Sequence, residues 1–125
     1  MNISKEEVKQ YLVDVKKAVN LGRYKISPRE KNELLYDDYV FSEARCKAII
    51  LDLKVEDFSK ADYNDHPDQP EEILYVFGKE VQLLPKYGGD EETVALYIKF
   101  NKLTNMYVIV VSFHKQEYPL KYQFK

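Results

Sequence analysis

The sequence has few residues that could cross-link the chain, bind a metal or cross a membrane. Its 125 residues include one cysteine, Cys46, and two histidines, which excludes an internal disulfide and the usual spacing of a zinc site. The longest apolar run, residues 106–111, is far shorter than the roughly 18 residues that span a bilayer. The N-terminus lacks the apolar segment and small-residue cleavage site of a signal peptide. These absences predict one soluble, cytoplasmic domain over residues 1–125, with no membrane segment, metal or cofactor.

Charge is unevenly distributed along the chain, although the net charge is only −2. Residues 1–72 carry 12 basic and 16 acidic side chains, a balance of −4. Residues 94–125 carry five lysines and one glutamate, a balance of +4. Because a phosphate backbone responds to the local field, this last part of the chain is suited to RNA. A lysine-rich stretch without any partner explains the same counts equally well.

The first half of the sequence has helical periodicity. Ser4 and Glu7 have the spacing of a capping box, and the apolar residues that follow predict a helix up to residue 20. A second helix is expected with Ser27 as its N-cap and Pro28 at its first position. A third is expected after the N-cap Ser42.

The second half has strand periodicity. Residues 61–72 contain two prolines and five acids, which predicts an exposed loop. From residue 73 onward the pattern predicts strands at 73–84, 94–100, 106–113 and 119–124. Helices followed by strands predict an α+β fold, with the helices packed on one face of an antiparallel sheet.

Two of the predicted strands carry polar side chains on the face opposite the core. Tyr97 and Lys99 alternate with the apolar residues of one strand, and strict alternation groups His114 with Ser112 and Val110 in the next. A histidine, a tyrosine and lysines on one surface suit RNA cleavage without a metal. That reaction needs a base for the 2′-hydroxyl, an acid for the 5′-oxygen and cations for the phosphorane.

These residues also have ordinary structural explanations. A histidine at a strand end is more often a hydrogen-bonded structural residue than a catalyst. With 11 tyrosines in the chain, a single tyrosine carries little information. His66 is interpreted as a surface residue of the acidic loop and Cys46 as an ordinary thiol. Ser112 lacks the glycine elbow of a hydrolase serine.

Several segments resemble the MqsR family of toxins in order and spacing. They are VKQYLVDVKKAVN from Val8, CKAIILDLKVEDFSK from Cys46, LYVFGKEV from Leu74, VALYIKF from Val94 and VIVVSFHK from Val108. The ending EYPLKYQFK is similar to a tail of Firmicute-type members. The resemblance covers nearly the whole chain except residues 85–93. It implies a RelE-like fold, ribosome-independent cleavage of single-stranded mRNA, and a cognate antitoxin that also represses the operon, expected to be a helix-turn-helix DNA-binding protein.

The resemblance also implies roles for particular residues. Lys60 matches a functional lysine after an Asp-Phe motif, and Tyr97 matches an active tyrosine in a Tyr-x-Lys strand. His114 follows Ser-Phe, where the best-known branch has lysine; histidine needs little tuning to transfer protons near neutral pH. A functional glutamine has no match, and Lys79 is the candidate substitute. The residues expected to bind RNA phosphates are Lys79, Lys99 and Lys121.

Two functions of different class remain open on the sequence. The first is a type II toxin that cleaves mRNA, with His114, Tyr97 and Lys60 as catalytic residues. The second is a non-catalytic module on the same fold, such as a phage or mobile-element inhibitor that binds a host protein. The acidic segment 61–72 and the missing glutamine favour the second, and the basic strand face favours the first.

Overall fold

The computed structural model describes residues 2–64, 68 and 72–125. The helices are α1 (Lys5–Asn20), α2 (Glu30–Asp38) and α3 (Glu43–Leu51). The strands are β1 (Tyr24–Ile26), β2 (Phe58–Tyr63), β3 (Ile73–Leu83), β4 (Glu92–Lys102) and β5 (Val108–Lys115). They form a sheet in the order β1-β5-β4-β3-β2, and a 3-10 turn, Val55–Asp57, precedes β2. The predicted α+β class is confirmed.

The sheet differs from the prediction in composition and direction. Strands β2 to β5 pair antiparallel, but β1 runs parallel to β5, so the sheet is mixed. β1 has only three residues, too few to show a period. Residues 61–63 belong to β2 rather than to a loop, and residues 119–124 form no strand. His66, interpreted as a surface residue, lies outside the described residues.

Two of the three predicted helix caps are confirmed. The Ser4 hydroxyl accepts a hydrogen bond from the Glu7 amide at 3.1 Å, and the Ser42 hydroxyl accepts one from the Arg45 amide at 3.1 Å. The Ser27 cap is wrong, because α2 begins only at Glu30 and has no side-chain cap. Ser27 instead extends β1, where its amide donates to the β5 backbone.

The hydrophobic core lies between the sheet and the helices α1 and α3. The α1 side chains buried in it are Val8, Tyr11, Leu12, Val15, Ala18 and Val19. The facing strands contribute fully buried side chains that include Phe77, Leu96, Ile98 and Phe100. Burial of one such side chain stabilises the fold by about 1.5–3 kcal/mol. No helix in the described part of the chain is both long and apolar enough to cross a membrane.

The face of the sheet opposite α1 and α3, here called the outer face, is partly covered by residues 116–125, the tail. The Ser59 hydroxyl of β2 donates to the Lys121 carbonyl of the tail at 2.7 Å. Gly78 of β3 lies beneath the tail, where a Cβ atom would be 2.8 Å from Leu120 Cδ1 and 2.9 Å from Gln116 Nε2. Such distances are shorter than van der Waals contact, so the absence of a side chain at Gly78 lets the tail lie on the sheet.

A β-bulge in β5 determines which of its side chains reach the outer face. Successive residues of β4 pair with Val110 and then with Ser112, so Val111 is the extra residue. Val110 is therefore fully buried in the core. The prediction that grouped Val110 with Ser112 and His114 was wrong for Val110, because it assumed an unbroken period of two.

Asn32 of α2 completes the hydrogen bonding of β5 at the bulge. Its Nδ2 donates to the carbonyls of Ser27 at 3.0 Å and Val111 at 3.1 Å, and its Oδ1 accepts from the Phe113 amide at 2.9 Å. The Val110 carbonyl accepts from the Ser27 amide at 2.9 Å. The Val110 and Val111 carbonyls thus both accept hydrogen bonds on the edge of β5 that faces β1. Where β1 ends, the Asn32 side-chain amide replaces a backbone donor.

Replacement of Asn32 by alanine should destabilise the protein strongly. Asn32 is only 3% exposed, and on its removal the Phe113 amide would lose its partner, while the Val111 carbonyl would keep only the 3.4 Å contact with Arg29 Nη1. Because a buried unpaired polar group costs about 1–3 kcal/mol, we expect Asn32→Ala to lower the free energy of unfolding by about 2–4 kcal/mol. Urea denaturation followed by circular dichroism measures this value.

Two further variants test whether the loss of stability is specific to the hydrogen bonds of Asn32. Asn20→Ala, at the exposed end of α1, should change the free energy of unfolding by less than about 0.5 kcal/mol. Asn32→Asp keeps the acceptor for Phe113 but brings a carboxylate against two carbonyl oxygens, so it should be destabilising as well. Equal stability of Asn32→Ala and Asn20→Ala would contradict this role of Asn32.

Candidate functional site

The outer face brings predicted site residues together in two rows across the sheet. In the first row His114 of β5 is paired with Tyr97 of β4. In the second row Ser112 is paired with Lys99, and Lys60 of β2 follows after one residue of β3. Directly paired residues of adjacent strands have Cβ atoms about 4.5–5.5 Å apart, so His114 and Tyr97, and likewise Ser112 and Lys99, are in contact range.

His114 is held in one orientation by its neighbours. Its side chain is 8% exposed, and its ring stacks on the Tyr97 ring with centroids 5.2 Å apart and planes 10° apart. Its Nδ1 lies 2.7 Å from the Lys115 carbonyl oxygen. A carbonyl oxygen only accepts hydrogen bonds, so Nδ1 carries the proton in the neutral ring and Nε2 is left as an acceptor. This is the tautomer that a general base needs.

Tyr97 is a proton donor rather than a base in this setting. Burial raises the pKa of Tyr97 to about 12, and the Tyr118 and Asp62 side chains add to the rise. The Tyr118 ring meets the Tyr97 ring at an angle of 63° with centroids 6.5 Å apart. Tyr97 therefore keeps its hydroxyl proton at neutral pH.

A pocket of about 190 Å³ opens beside His114. It lies where α2 and the tail approach the outer face. The residues that line it are Arg29, Lys31, Tyr97, Lys99, Ser112, His114, Glu117 and Tyr118. This set, here called the His114 pocket, contains three permanent cations and one carboxylate.

Arg29 and Lys99 are positively charged, and the groups that they contact are neutral. Arg29 Nη1 donates to Ser112 Oγ at 3.1 Å and approaches the Val111 carbonyl at 3.4 Å. Lys99 Nζ lies 5.8 Å from the centroid of the Tyr97 ring. Within the described residues, neither cation forms an ion pair with a carboxylate. Both can therefore offer hydrogen bonds and charge to an anion.

Lys31 and Glu117 form an ion pair that connects α2 to the tail at the edge of this pocket. The hydrogen bond and charge of Lys31 lower the pKa of Glu117, and the charge of His114 lowers it further. Both side chains are more than half exposed, at 53% and 57%. Exposed pairs of this kind contribute little to stability.

Lys60 lies at the far end of the second row and is not among the pocket-lining residues. Its Nζ is 3.5 Å from the Tyr118 hydroxyl and 3.6 Å from an Asp62 carboxylate oxygen. Burial lowers the pKa of Lys60, but Asp62 and Tyr118 outweigh it, so the net pKa is raised. Lys60 therefore stays a cation and reaches the His114 pocket only through Tyr118.

The structure does not bring Lys79 and Lys121 to this pocket. Lys79 is on the core side of β3, where its Nζ lies 3.1 Å from Asp52 and 3.7 Å from Asp57. Its charge is thus neutralised by two carboxylates, and the side chain is only 18% exposed. Lys121 is an exposed residue of the tail, held through its carbonyl. Neither position fits the predicted phosphate contact at His114.

The pocket also contains residues that the sequence did not indicate. Arg29 falls in the first turn of the helix predicted after Ser27, and Tyr118 immediately precedes the strand predicted at 119–124. Both lie outside regular elements, where no periodicity reveals the direction of a side chain. The basic character of Arg29 was the one available signal, and charge alone does not distinguish it from other surface cations.

In the described part of the chain, the other reactive groups do not form a second centre of this kind. Burial raises the pKa of the Cys46 thiol to about 12, with the Glu43 charge adding to it, so Cys46 is an unreactive thiol. Among the described residues, no group of three or more histidine, cysteine, aspartate or glutamate side chains is arranged to hold a metal ion.

The function of this site is inferred from its own geometry. The resemblance to MqsR toxins stays a prediction from the sequence. No protein family, curated protein or solved structure matches the chain.

Proposed function

We propose that this protein is a metal-independent endoribonuclease that acts as the toxin of a type II toxin–antitoxin system. The observation that supports this most is the convergence of His114, Tyr97, Lys99 and Arg29 on one pocket. It combines a histidine in the base tautomer, a protonated phenol and two cations that pair with no carboxylate of the described residues. These are the groups that cleavage of an RNA phosphodiester requires.

In the proposed reaction His114 Nε2 removes the proton of a ribose 2′-hydroxyl. The 2′-oxygen attacks the adjacent phosphorus, and the bond from phosphorus to the 5′-oxygen breaks. Tyr97 gives its hydroxyl proton to the departing 5′-oxygen, which leaves a 2′,3′-cyclic phosphate and a 5′-hydroxyl end. Arg29 and Lys99 stabilise the charge on the phosphorane oxygens. Exchange with solvent then returns the proton from His114 to Tyr97.

The proposed partners follow from the resemblance and from the charge of the site. The substrate is single-stranded mRNA, because an unpaired nucleotide can be splayed out into a pocket of this size, whereas an A-form duplex keeps its bases stacked and paired. The inhibitor is a cognate antitoxin with a helix-turn-helix domain. Both act in the cytoplasm under this proposal.

Replacement of His114 should abolish activity while the fold persists. We expect His114→Ala to lower the rate of RNA cleavage by about 10²–10⁴-fold, the usual contribution of a general base. Loss of one stacked side chain near a strand end should cost roughly 1–2 kcal/mol in stability. Growth arrest on induction, RNA cleavage and thermal unfolding are measured on the same variant.

His114→Lys provides the informative comparison. Lysine occupies this position in the best-known branch of the resembled family, so we expect partial activity. Full cleavage by a folded His114→Ala protein would make His114 structural and would direct attention to Tyr97 and Lys60 as the catalytic residues. Absence of cleavage by the wild-type protein would favour the non-catalytic binding module.

The salt dependence of RNA binding should identify the cations that contact phosphate. In an inactive His114→Ala background, Lys99→Gln should reduce the slope of log affinity against log salt by about 0.7–0.9 if it contacts one phosphate. Lys17→Gln is the matched control, because Lys17 lies on α1, on the opposite side of the sheet. Equal slopes for the two variants would exclude Lys99 as a phosphate contact.

Cleavage should continue in excess EDTA. A divalent cation in the His114 pocket would meet three positive side chains and one carboxylate, a repulsive environment. A magnesium-dependent nuclease in the same buffer serves as the control and should lose its activity. Loss of cleavage by this protein as well, with recovery on added Mg²⁺, would reject the mechanism and direct attention to Asp62 and Glu117.

A further inference from the structure

A second pocket, of about 210 Å³, adjoins the His114 pocket along α2. The two pockets share Lys31, His114 and Glu117. The residues that belong to the second one alone include Leu34, Asp38 and Gln116, so we call it the Leu34 pocket. We propose that the Leu34 pocket binds the base of the nucleotide whose 2′-hydroxyl is attacked by His114, and that it prefers adenine, cytosine and guanine over uracil. This inference rests on the proposed ribonuclease function.

Because the two pockets are continuous, the position of the ribose in one pocket determines which nucleotide of the RNA places its base in the other. In the proposed reaction His114 removes the 2′-proton of the nucleotide on the 5′ side of the cleaved bond. His114 lines both pockets, so a ribose beside it can place its 3′-phosphate near Arg29 and Lys99. The base of that same nucleotide then points to the Leu34 pocket.

The volume of the Leu34 pocket and the side chains that line it fit a single base. Its volume is below the ~300–1,000 Å³ of pockets that enclose drug-sized ligands, which limits the occupant to about one ring system. Leu34 is 50% exposed, although it lies directly beside a highly charged pocket. An exposed apolar side chain in that position offers a surface on which a flat ring can pack.

The polar groups of the Leu34 pocket that remain available are acceptors. Gln116 Nε2 donates to the Leu96 carbonyl at 3.0 Å and to the Tyr122 hydroxyl at 3.3 Å, which leaves its carbonyl oxygen to accept. The Asp38 carboxylate can only accept.

The two ammonium groups at the rim have partners of their own. Lys31 pairs with Glu117, and Lys115 lies 4.9 Å from the centroid of the Tyr39 ring. The exocyclic amino group of adenine, cytosine or guanine can donate to the Asp38 and Gln116 oxygens. Uracil would instead present two carbonyl oxygens on either side of its one N–H, and these oxygens would face the acceptors.

The test uses oligonucleotides that are 2′-O-methylated at every position but one, with randomised flanking bases. Only the single ribose can be attacked, so four substrates with A, C, G or U at that position report the preference for its base. We expect the wild-type protein to have a kcat/KM at least 10-fold lower for U than for the other three. Asp38→Asn replaces an acceptor by a donor and should reduce this ratio to less than 3-fold.

A variant that fills the pocket provides the second arm. Leu34→Arg should lower kcat/KM at least 10-fold on A, C and G, mainly through KM. Leu21→Arg is the matched control, since Leu21 is also an exposed leucine at 63% but follows α1. Circular dichroism establishes that both variants fold.

The outcomes separate this inference from the function on which it rests. Cleavage of all four substrates at equal rates, or wild-type kinetics in Leu34→Arg, would overturn the base pocket and leave the ribonuclease proposal standing. A wild-type protein that cleaves neither these substrates nor cellular RNA overturns both.

Discussion

The side-chain amide of Asn32 bonds to the carbonyl of the bulge residue Val111 and to the Phe113 amide of β5, and the candidate site depends on that contact. An amide is suited to this position because one end donates and the other accepts, as a peptide group does. The contact bridges residues 79 and 81 positions apart in sequence. It also fixes α2 against β5, and α2 carries Lys31 next to Asn32. Arg29 immediately precedes the helix, so one buried side chain positions both the histidine strand and the cations that face it.

Local charge at the site arises from which basic residues have acidic partners. Lys79 is neutralised by Asp52 and Asp57, and Lys102 by Asp14 at 2.7 Å. Both of these lie away from the His114 pocket, whereas Arg29 and Lys99 face neutral oxygens and a ring. A chain of net charge −2 can thus present a positive pocket. The field at a pocket depends on these pairings more than on the total charge of the chain.

Sequence patterns succeeded where the determining contacts are local. The capping box of α1 and the alternation of β4, with Tyr97 and Lys99 opposite the core, were both predicted correctly. β1 was missed because three residues show no period, and its parallel partner lies more than 80 residues away. Residues 61–63 were assigned to the acidic loop, because the strand they extend is recognised only through its pairing with β3.

The candidate site was predictable only in part for the same reason. Tyr97 and His114 could be placed on one face, and the structure stacks their rings. Lys79 could not be excluded, since its two acidic partners come from α3's C-terminal end and from the 3-10 turn. Arg29 and Tyr118 could not be found, because loop residues take their direction from tertiary contacts rather than from a repeat.

The bulge at Val111 makes the outer face of β5 a matter of strand register. A strand that kept all its residues, with Val108 and Val110 in the core, but paired with β4 without the bulge would follow an unbroken two-residue repeat. Ser112 and His114 would then rotate into the packed interior, and Phe113 would turn outward. Every side chain of the pocket would still be present, yet the surface would be gone. One irregular residue in the pairing of β5 therefore decides whether the strand presents an active surface, although that residue lines neither pocket.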